Sequence, residues 1–181
     1  MVADPVAMRG FTLIELLVTL SIAAILLGVA VPNFVTFIQN NRLATQANDL
    51  VTMLNYARSE AVKRNQTITV CSSTTGTSCA GSTTWDGGLI VFVDNNGDGT
   101  VDGGEAVLQV RQAMEGANTL TAAAQSSITY QSNGFLAVVG SNDIFTLSDS
   151  RGPASARAIV VSMQGRISTC PLSTVVGGVC P

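Results

Sequence analysis

The sequence has 181 residues, of which 46% are hydrophobic and 12% are charged, with a net charge of −3 and no histidine. This length suffices for one domain with a hydrophobic core, and the charge excludes a protein that is basic enough to bind polyanions over its whole surface. Without histidine there is no imidazole base, and no motif pairs a nucleophile with an activating group, so we expect no enzyme.

A mostly apolar segment over residues 11–31 follows ten residues that include Arg9. From Leu16 to Val31 it carries no charge, and it has nearly the length that a helix needs to cross a bilayer. Arg9 favours a cytoplasmic location for the residues before the segment. A secretory signal would end at a small-residue cleavage site, whereas this apolar run continues into more helix. A plain anchor leaves Glu15 unexplained, because a carboxylate in an apolar stretch is costly unless it has a partner.

The run from Gly10 to Leu16, GFTLIEL, resembles the cleavage and methylation motif of type IV pilins and type II secretion pseudopilins. The resemblance implies that residues 1–10 are a leader, cut after Gly10 by the prepilin peptidase, and that Phe11 is N-methylated. Cleavage creates an ammonium group at Phe11, and Glu15 is the acid nearest to it in the sequence. We therefore expect Glu15 to pair with the Phe11 ammonium of a neighbouring subunit, which would fix the register of assembly.

A helical pattern continues from Pro32 to about Arg64. We expect Pro32 to kink the helix or loosen one turn. Apolar side chains recur at helical spacing along one side, at Phe34, Phe37, Ile38, Ala44, Ala47, Leu50, Val51, Leu54, Ala57 and Ala61. Polar side chains occupy the other side, at Asn40, Arg42, Gln46, Asn48, Lys63 and Arg64. One long helix is predicted. Its residues 11–31 form a transmembrane or filament-core half, and its residues 32–64 form an amphipathic half that packs on a head domain.

Two stretches of this second half, Asn41-Arg42-Leu43 and the run YARSEAV at 56–62, resemble one branch of the pilin-like proteins. That branch contains the H pseudopilins of type II secretion and the FimT and FimU minor pilins. The resemblance implies an α+β fold.

Short β-rich runs separated by Gly, Asn and Ser predict a β-rich head over residues 65–181. The predicted strands are residues 67–71, 89–93, 106–111, 127–131, 135–139, 144–147 and 157–163. Ser132-Asn133-Gly134 is typical of a hairpin turn. We expect one or two antiparallel sheets packed on the amphipathic half of the helix.

The four cysteines form two local pairs, Cys71 with Cys79 and Cys170 with Cys180. Neither pair has the short spacing of a zinc knuckle, and no histidine is present to complete such a site. An even count in an exported domain favours two local disulfides, with free or cross-paired thiols as the alternative.

Residues 94–105, DNNGDGTVDGGE, fit the twelve-residue pattern of a calcium-binding loop. The ligands in that interpretation are Asp94, Asn96, Asp98, the Thr100 carbonyl, Asp102 and Glu105. The flanking segments are predicted strands rather than helices, so a metal-free hairpin loop is the alternative. No other cofactor is expected.

The C-terminal region, with Gly165-Arg166 after the last long predicted strand, resembles the C-terminal pattern of the FimT and FimU branch. In FimT proteins that region is associated with DNA binding during uptake. Here Gly165-Arg166 is followed by Ile167-Ser168 and not by a second arginine, and no aromatic residue follows Phe145. If the final hairpin brings them together, three cations form a positive face for DNA, namely Arg151, Arg157 and Arg166. A solvated hairpin is the alternative.

These observations favour a minor type IV pilin that helps to initiate a pilus or cap its tip. An H-type pseudopilin of type II secretion and a DNA-binding minor pilin for natural transformation are the alternatives. The expected partners are other pilins or pseudopilins, the prepilin peptidase and the inner-membrane assembly platform, with DNA added in the last case. The expected location is a single pass through the inner membrane with a periplasmic head, followed by a pilus or pseudopilus that can reach the cell surface.

Overall fold

The computed structural model of the chain describes residues 10–137 and 142–181. The chain divides into two compact units, one of residues up to Asn40 and one from Asn41 to Pro181. A single α-helix, α1 (Leu13–Arg64), supplies residues to both units. The predicted helix end at about Arg64 is confirmed.

In the first unit α1 begins directly after Thr12, whose hydroxyl accepts a hydrogen bond from the Glu15 amide at 3.3 Å. A threonine at this position satisfies one of the amides that a helix start leaves without a partner. The helix includes Pro32 without interruption. Among the described residues, α1 is the one helix that is long and apolar enough to cross a membrane.

In the second unit one face of α1 is buried in the head, at Leu43, Gln46, Ala47, Leu50, Met53, Leu54, Ala57, Glu60 and Ala61. The prediction that Gln46 lies on the polar side was wrong. Its side chain is only 4% exposed, donates to the Glu115 carbonyl at 2.9 Å and accepts from the Asn118 amide at 2.7 Å. Because both polar atoms of the amide are hydrogen-bonded, burial carries little desolvation cost.

The described residues that follow α1 form eight strands. They are β1 (Ile68–Ser72), β2 (Leu89–Val93), β3 (Val107–Arg111), β4 (Thr119–Ala122), β5 (Ser127–Tyr130), β6 (Asp143–Ser148), β7 (Arg157–Val161) and β8 (Ile167–Pro171). They make two antiparallel four-stranded sheets with the orders β3-β2-β1-β5 and β4-β6-β7-β8. Short 3-10 helices follow β6 and β8, at Pro153–Ser155 and Leu172–Thr174. The sequence did not predict β4 or β8.

The predicted strand at 135–139 is not a regular strand where the structure describes it, and residues 138–139 lie outside the described residues. Leu136 forms an isolated bridge with Tyr130, and its amide donates to the Met163 carbonyl at 3.0 Å. The bond to Met163 directs this segment toward the other sheet. The predicted turn at 132–134 is present, closed by a hydrogen bond from the Gly134 amide to the Gln131 carbonyl.

The main core lies between α1 and the two sheets and is built from Leu, Ile, Val and aromatic side chains. Trp85 is fully buried and meets Phe145 edge to face, with 4.9 Å between ring centroids. A smaller cluster of Cys71, Ile90 and Phe92 lies on the other face of the first sheet. The fold is therefore the predicted α+β arrangement of a long N-terminal helix packed on antiparallel sheets.

Candidate functional site

The start of α1 presents the candidate cleavage and assembly residues at the surface. Gly10 and Glu15 are exposed, and the Phe11 side chain is 83% exposed. Within the described residues the Glu15 carboxylate makes no ion pair and accepts no hydrogen bond. Its charge is therefore available to a group outside the described residues. The sequence analysis missed Thr12, although Thr-x-x-Glu at a helix start is a capping pattern.

Arg58 joins turns that belong to different sheets. Its Nε donates to the Gly134 carbonyl at 3.0 Å, and its Nη2 donates to the Gln164 carbonyl at 3.1 Å. Gly165 allows this contact, because a Cβ there would lie 2.3 Å from the Gly134 oxygen and 3.0 Å from Arg58 Nε. The residue also has a φ of 74°, which glycine adopts without strain. The stretches around Arg58 and Gly165 that carried the family resemblance thus meet in one structural contact.

Both predicted disulfides are present, from Cys71 to Cys79 with Cα atoms 5.6 Å apart and from Cys170 to Cys180 with Cα atoms 5.7 Å apart. The first closes a loop after β1. The second ties the end of the chain to β8. Both lie in the head, where they limit the conformations of exposed loops.

The loop at 94–105 is closed by its own hydrogen bonds. The buried Asp94 carboxylate accepts from the Gly97 and Gly99 amides at 2.7 and 3.0 Å and from the Thr69 hydroxyl at 2.6 Å. Glu105 accepts from two backbone amides, those of Asn95 at 2.7 Å and Asp102 at 3.0 Å. All four carboxylate oxygens of Asp94 and Glu105 thus accept at least one hydrogen bond in this structure.

Elsewhere in this loop the Thr100 hydroxyl and amide donate to Asp98 and lower the pKa of that carboxyl. The Asn96 amide donates to Asp98 at 2.9 Å and to Asp102 at 3.0 Å. Over the described ranges no group of three or more Asp, Glu, Cys or His side chains is arranged to hold a metal ion. Calcium binding by Asp94, Asn96, Asp98, Thr100, Asp102 and Glu105 stays a prediction.

The three candidate DNA-contacting arginines do not form one face. Arg151 pairs with Asp149, with 2.7 Å between Nη2 and Oδ2, and this contact lowers the pKa of Asp149. Arg157 begins β7, whereas Arg166 lies in the turn beyond its other end. Along the strand direction, five residues of extended chain separate Arg157 from Arg166 by roughly 17 Å.

Comparison with known proteins gives two matches to family models. Residues 46–165 match the family described as type II transport protein GspH, and residues 7–31 match the prokaryotic N-terminal methylation motif. The first match covers more than half of the chain and ends at Gly165. The second includes Gly10, Phe11 and Glu15.

The chain is also similar to individual proteins. It is 38% identical over 99 residues to the pilin-like protein PilA1 of Thermus thermophilus, a match that covers 54% of this chain and 55% of that one. The chain therefore matches about half the length of this relative. Among solved structures, the type IV minor pilin FimU of Pseudomonas aeruginosa superposes with a TM-score of 0.60 at 25% identity, over 78% of this chain and 98% of FimU. A second crystal form of FimU gives 0.56.

Proposed function

Because this chain belongs to the GspH family of pilin-like proteins, we propose that it is a minor type IV pilin that assembles through its N-terminal helix and acts at the initiation or tip of a pilus. The observation that carries this proposal is the structural likeness to FimU, which extends over 78% of this chain and 98% of the FimU chain. A filament subunit also accounts for two features that a soluble domain lacks, the exposed apolar half of α1 and the Glu15 carboxylate, which has no ion-pair partner among the described residues.

In this proposal the precursor spans the inner membrane with residues 11–31, its head in the periplasm. The prepilin peptidase removes residues 1–10, and Phe11 is methylated. The new Phe11 ammonium of one subunit pairs with Glu15 of the next, where low polarity strengthens their attraction. Thr12 supports this step, since it fixes the first turn of α1 on which Glu15 stands.

Intact-mass analysis of filament material tests the processing step. The expected mass is that of a chain beginning at Phe11 with one added methyl group. Gly10→Val should block cleavage by crowding the peptidase subsite and leave the full-length precursor in the membrane. Full-length chains in native filaments would contradict the proposal.

Glu15→Ala tests assembly separately from membrane insertion. It removes the partner of the Phe11 ammonium while it makes the helix more apolar, so membrane levels should stay normal and filament incorporation should drop several-fold. The matched control is Glu60→Ala, because Glu60 pairs with Lys63 and Arg64 at the head end of α1. Equal incorporation of Glu15→Ala and the unaltered protein would show that register is set by other contacts.

The second candidate function is an H-type pseudopilin, and the GspH match over residues 46–165 favours it. A deletion strain separates the two. Loss of surface filaments, seen by electron microscopy, with normal protein secretion supports the minor pilin; the reverse supports the pseudopilin. Mass spectrometry of sheared filaments then tests abundance, where a small ratio to the main subunit is expected.

A further inference from the structure

The outer face of the hairpin made by β7 and β8 changes from apolar to polar along its length. Ala158 pairs with Cys170 and Val160 with Ser168, while the Ser162 amide donates to the Arg166 carbonyl at 2.9 Å. Side chains at alternate positions share one face of a strand. Ser162, Arg166 and Ser168 therefore extend the face on which Val160 lies, opposite the core.

The end of the chain covers part of this face. The Cys170–Cys180 disulfide ties it to β8, and the Asn142 amide donates to the Gly178 carbonyl at 2.9 Å. Val160 is buried in consequence, while the polar residues at the open end of the hairpin stay accessible. Between tail and hairpin lies a cleft of about 480 Å³.

Among the residues that the structure describes, hydrogen-bond donors line this cleft and no acidic side chain does. The donors are on Ser162, Gln164, Arg166 and Ser168, and the accessible apolar side chain is that of Val179, since Val160 is only 2% exposed. In the part of the chain that the structure describes, the Arg166 guanidinium and the side chains of Gln164 and Ser168 have no hydrogen-bond partner. The Ser162 oxygen accepts from the Arg166 amide at 3.1 Å, which leaves its proton free to donate.

We propose that this cleft binds the carboxylate or phosphate of a small anionic ligand, of which an acidic sugar is the type that fits. One permanent cation and three neutral donors face one space, and such groups bind oxyanions through short, charge-assisted hydrogen bonds. The Val179 side chain would contact the face of a sugar ring. The cleft also falls within the usual range of small-molecule sites, about 300–1,000 Å³.

A long polyanion fits these contacts less well. Arg157 is at the far end of β7, and Arg151 is bound to Asp149, so a nucleic acid backbone would meet one cation here rather than a row. Weak, salt-dependent binding would result. Binding of DNA without binding of a small anion would therefore count against the proposed site.

The test is calorimetric titration of the full-length protein in a neutral detergent with glucuronate and with glucose 1-phosphate, at constant ionic strength. Glucose is the matched neutral ligand. Saturable binding is expected for both anions and not for glucose. The anion that binds with the higher affinity shows whether the cleft prefers a carboxylate or a phosphate. No filament is needed, so the result is independent of the proposed role in assembly.

Variants locate the binding. Arg166→Gln should weaken it by about tenfold or more, because a hydrogen bond to a charged group is lost. Ser168→Ala should weaken it less, and Arg166→Lys should retain part of it. Arg157→Gln, on the same hairpin but away from the cleft, is the control and should leave affinity unchanged. Unaltered Trp85 fluorescence shows that each variant is folded.

Three results would overturn the proposal. They are no saturable binding of either anion, equal affinity in Arg166→Gln and the unaltered protein, and binding of short duplex DNA without binding of either small anion.

Discussion

The same side-chain types have opposite environments in the two units of this protein. Leu26, in the first unit, is 64% exposed, whereas Leu54, in the second, is fully buried. The difference extends along both units: the large apolar side chains from Leu13 to Ile38 are exposed, whereas most of those in the head form a core with α1. The head thus contains the partners that stabilise it, whereas the N-terminal segment must find an apolar environment in a membrane or among neighbouring subunits.

Leucine truncation should separate the two regions most clearly. Leu54→Ala should lower the free energy of unfolding of the head by about 2–5 kcal/mol, since it leaves a cavity in a packed core. Leu26→Ala should leave that free energy unchanged. Denaturant unfolding followed by fluorescence of Trp85, the single tryptophan, measures both. Similar losses in the two variants would contradict this division of the chain.

Disulfides occur in the head alone, so their removal should affect one region. Replacing Cys170 and Cys180 together by serine should cost about 3 kcal/mol of head stability, because the unfolded tail gains conformational freedom. The helical signal of the detergent-embedded N-terminal segment should persist. Thermal melting by circular dichroism at two wavelengths separates these readouts. The corresponding Cys71 and Cys79 double variant is the comparison.

Glycine replacement should also differ in its effect between the regions. Gly165→Ala should destabilise the head by about 1–3 kcal/mol, because φ is positive and the new Cβ would overlap the Gly134 carbonyl. Gly28→Ala should not reduce head stability, since a Cβ there meets no atom within 4 Å. Urea unfolding of the two variants in parallel tests this. A stable Gly165→Ala head would show that the two turns can separate without cost.

A buried acid makes the stability of the head depend on pH, and we expect this effect to be smaller than the effects of the substitutions above. Burial raises the pKa of Asp143 above its ordinary value of 3.8, although the Ile144 and Ala124 amides oppose the shift, and its Oδ2 has no partner within the described residues. The folded state then binds the proton more tightly than the unfolded state does. This favourable contribution is complete below pH 3.8 and disappears as pH rises through the raised folded pKa.

Asp143→Asn should therefore stabilise the head at neutral pH and flatten its stability between mildly acidic and neutral pH, since Asn keeps an oxygen for the Ile144 amide. Denaturant midpoints across that pH range provide the measurement. Asp143→Asn without any gain at neutral pH would show that the carboxylate is better solvated than its burial indicates.

Calcium should have the smallest effect. If the loop binds calcium as predicted, millimolar calcium should raise the melting temperature slightly over that in chelator, since a ligand that binds only the folded state stabilises it, and Asp98→Ala should abolish the rise. An unchanged melting temperature in both proteins would leave the metal-free hairpin loop.

The sequence predicted the elements whose signal is local and repeated. The helix end at Arg64, the strand at 89–93 and both disulfides follow from periodicity, β-branched composition and spacing. Strand β4 was missed because Thr119–Ala122 is short and only its pairing with β6 marks it as a strand. Strand β8 was missed because Pro171 is a poor strand residue, tolerated here at the end of an edge strand.

Long-range contacts explain the remaining differences. The local sequence predicts a surface position for Gln46, because its partners Asn118 and Glu115 come from distant parts of the chain. The cleft between the tail and the last hairpin likewise depends on folding that spacing alone does not reveal. By contrast, the partner of Arg151 stands two residues before it at Asp149 and was accessible to sequence reasoning.

The contact of Arg58 has a mechanical consequence. A subunit held in a filament by its N-terminal helix bears any tension on the filament through α1. Arg58 lies on α1 and donates hydrogen bonds to the Gly134 carbonyl, in a turn of one sheet, and to the Gln164 carbonyl, in a turn of the other. Through these two hydrogen bonds Arg58 passes part of a pull along the helix axis to both sheets, in addition to the part carried by the buried face of α1.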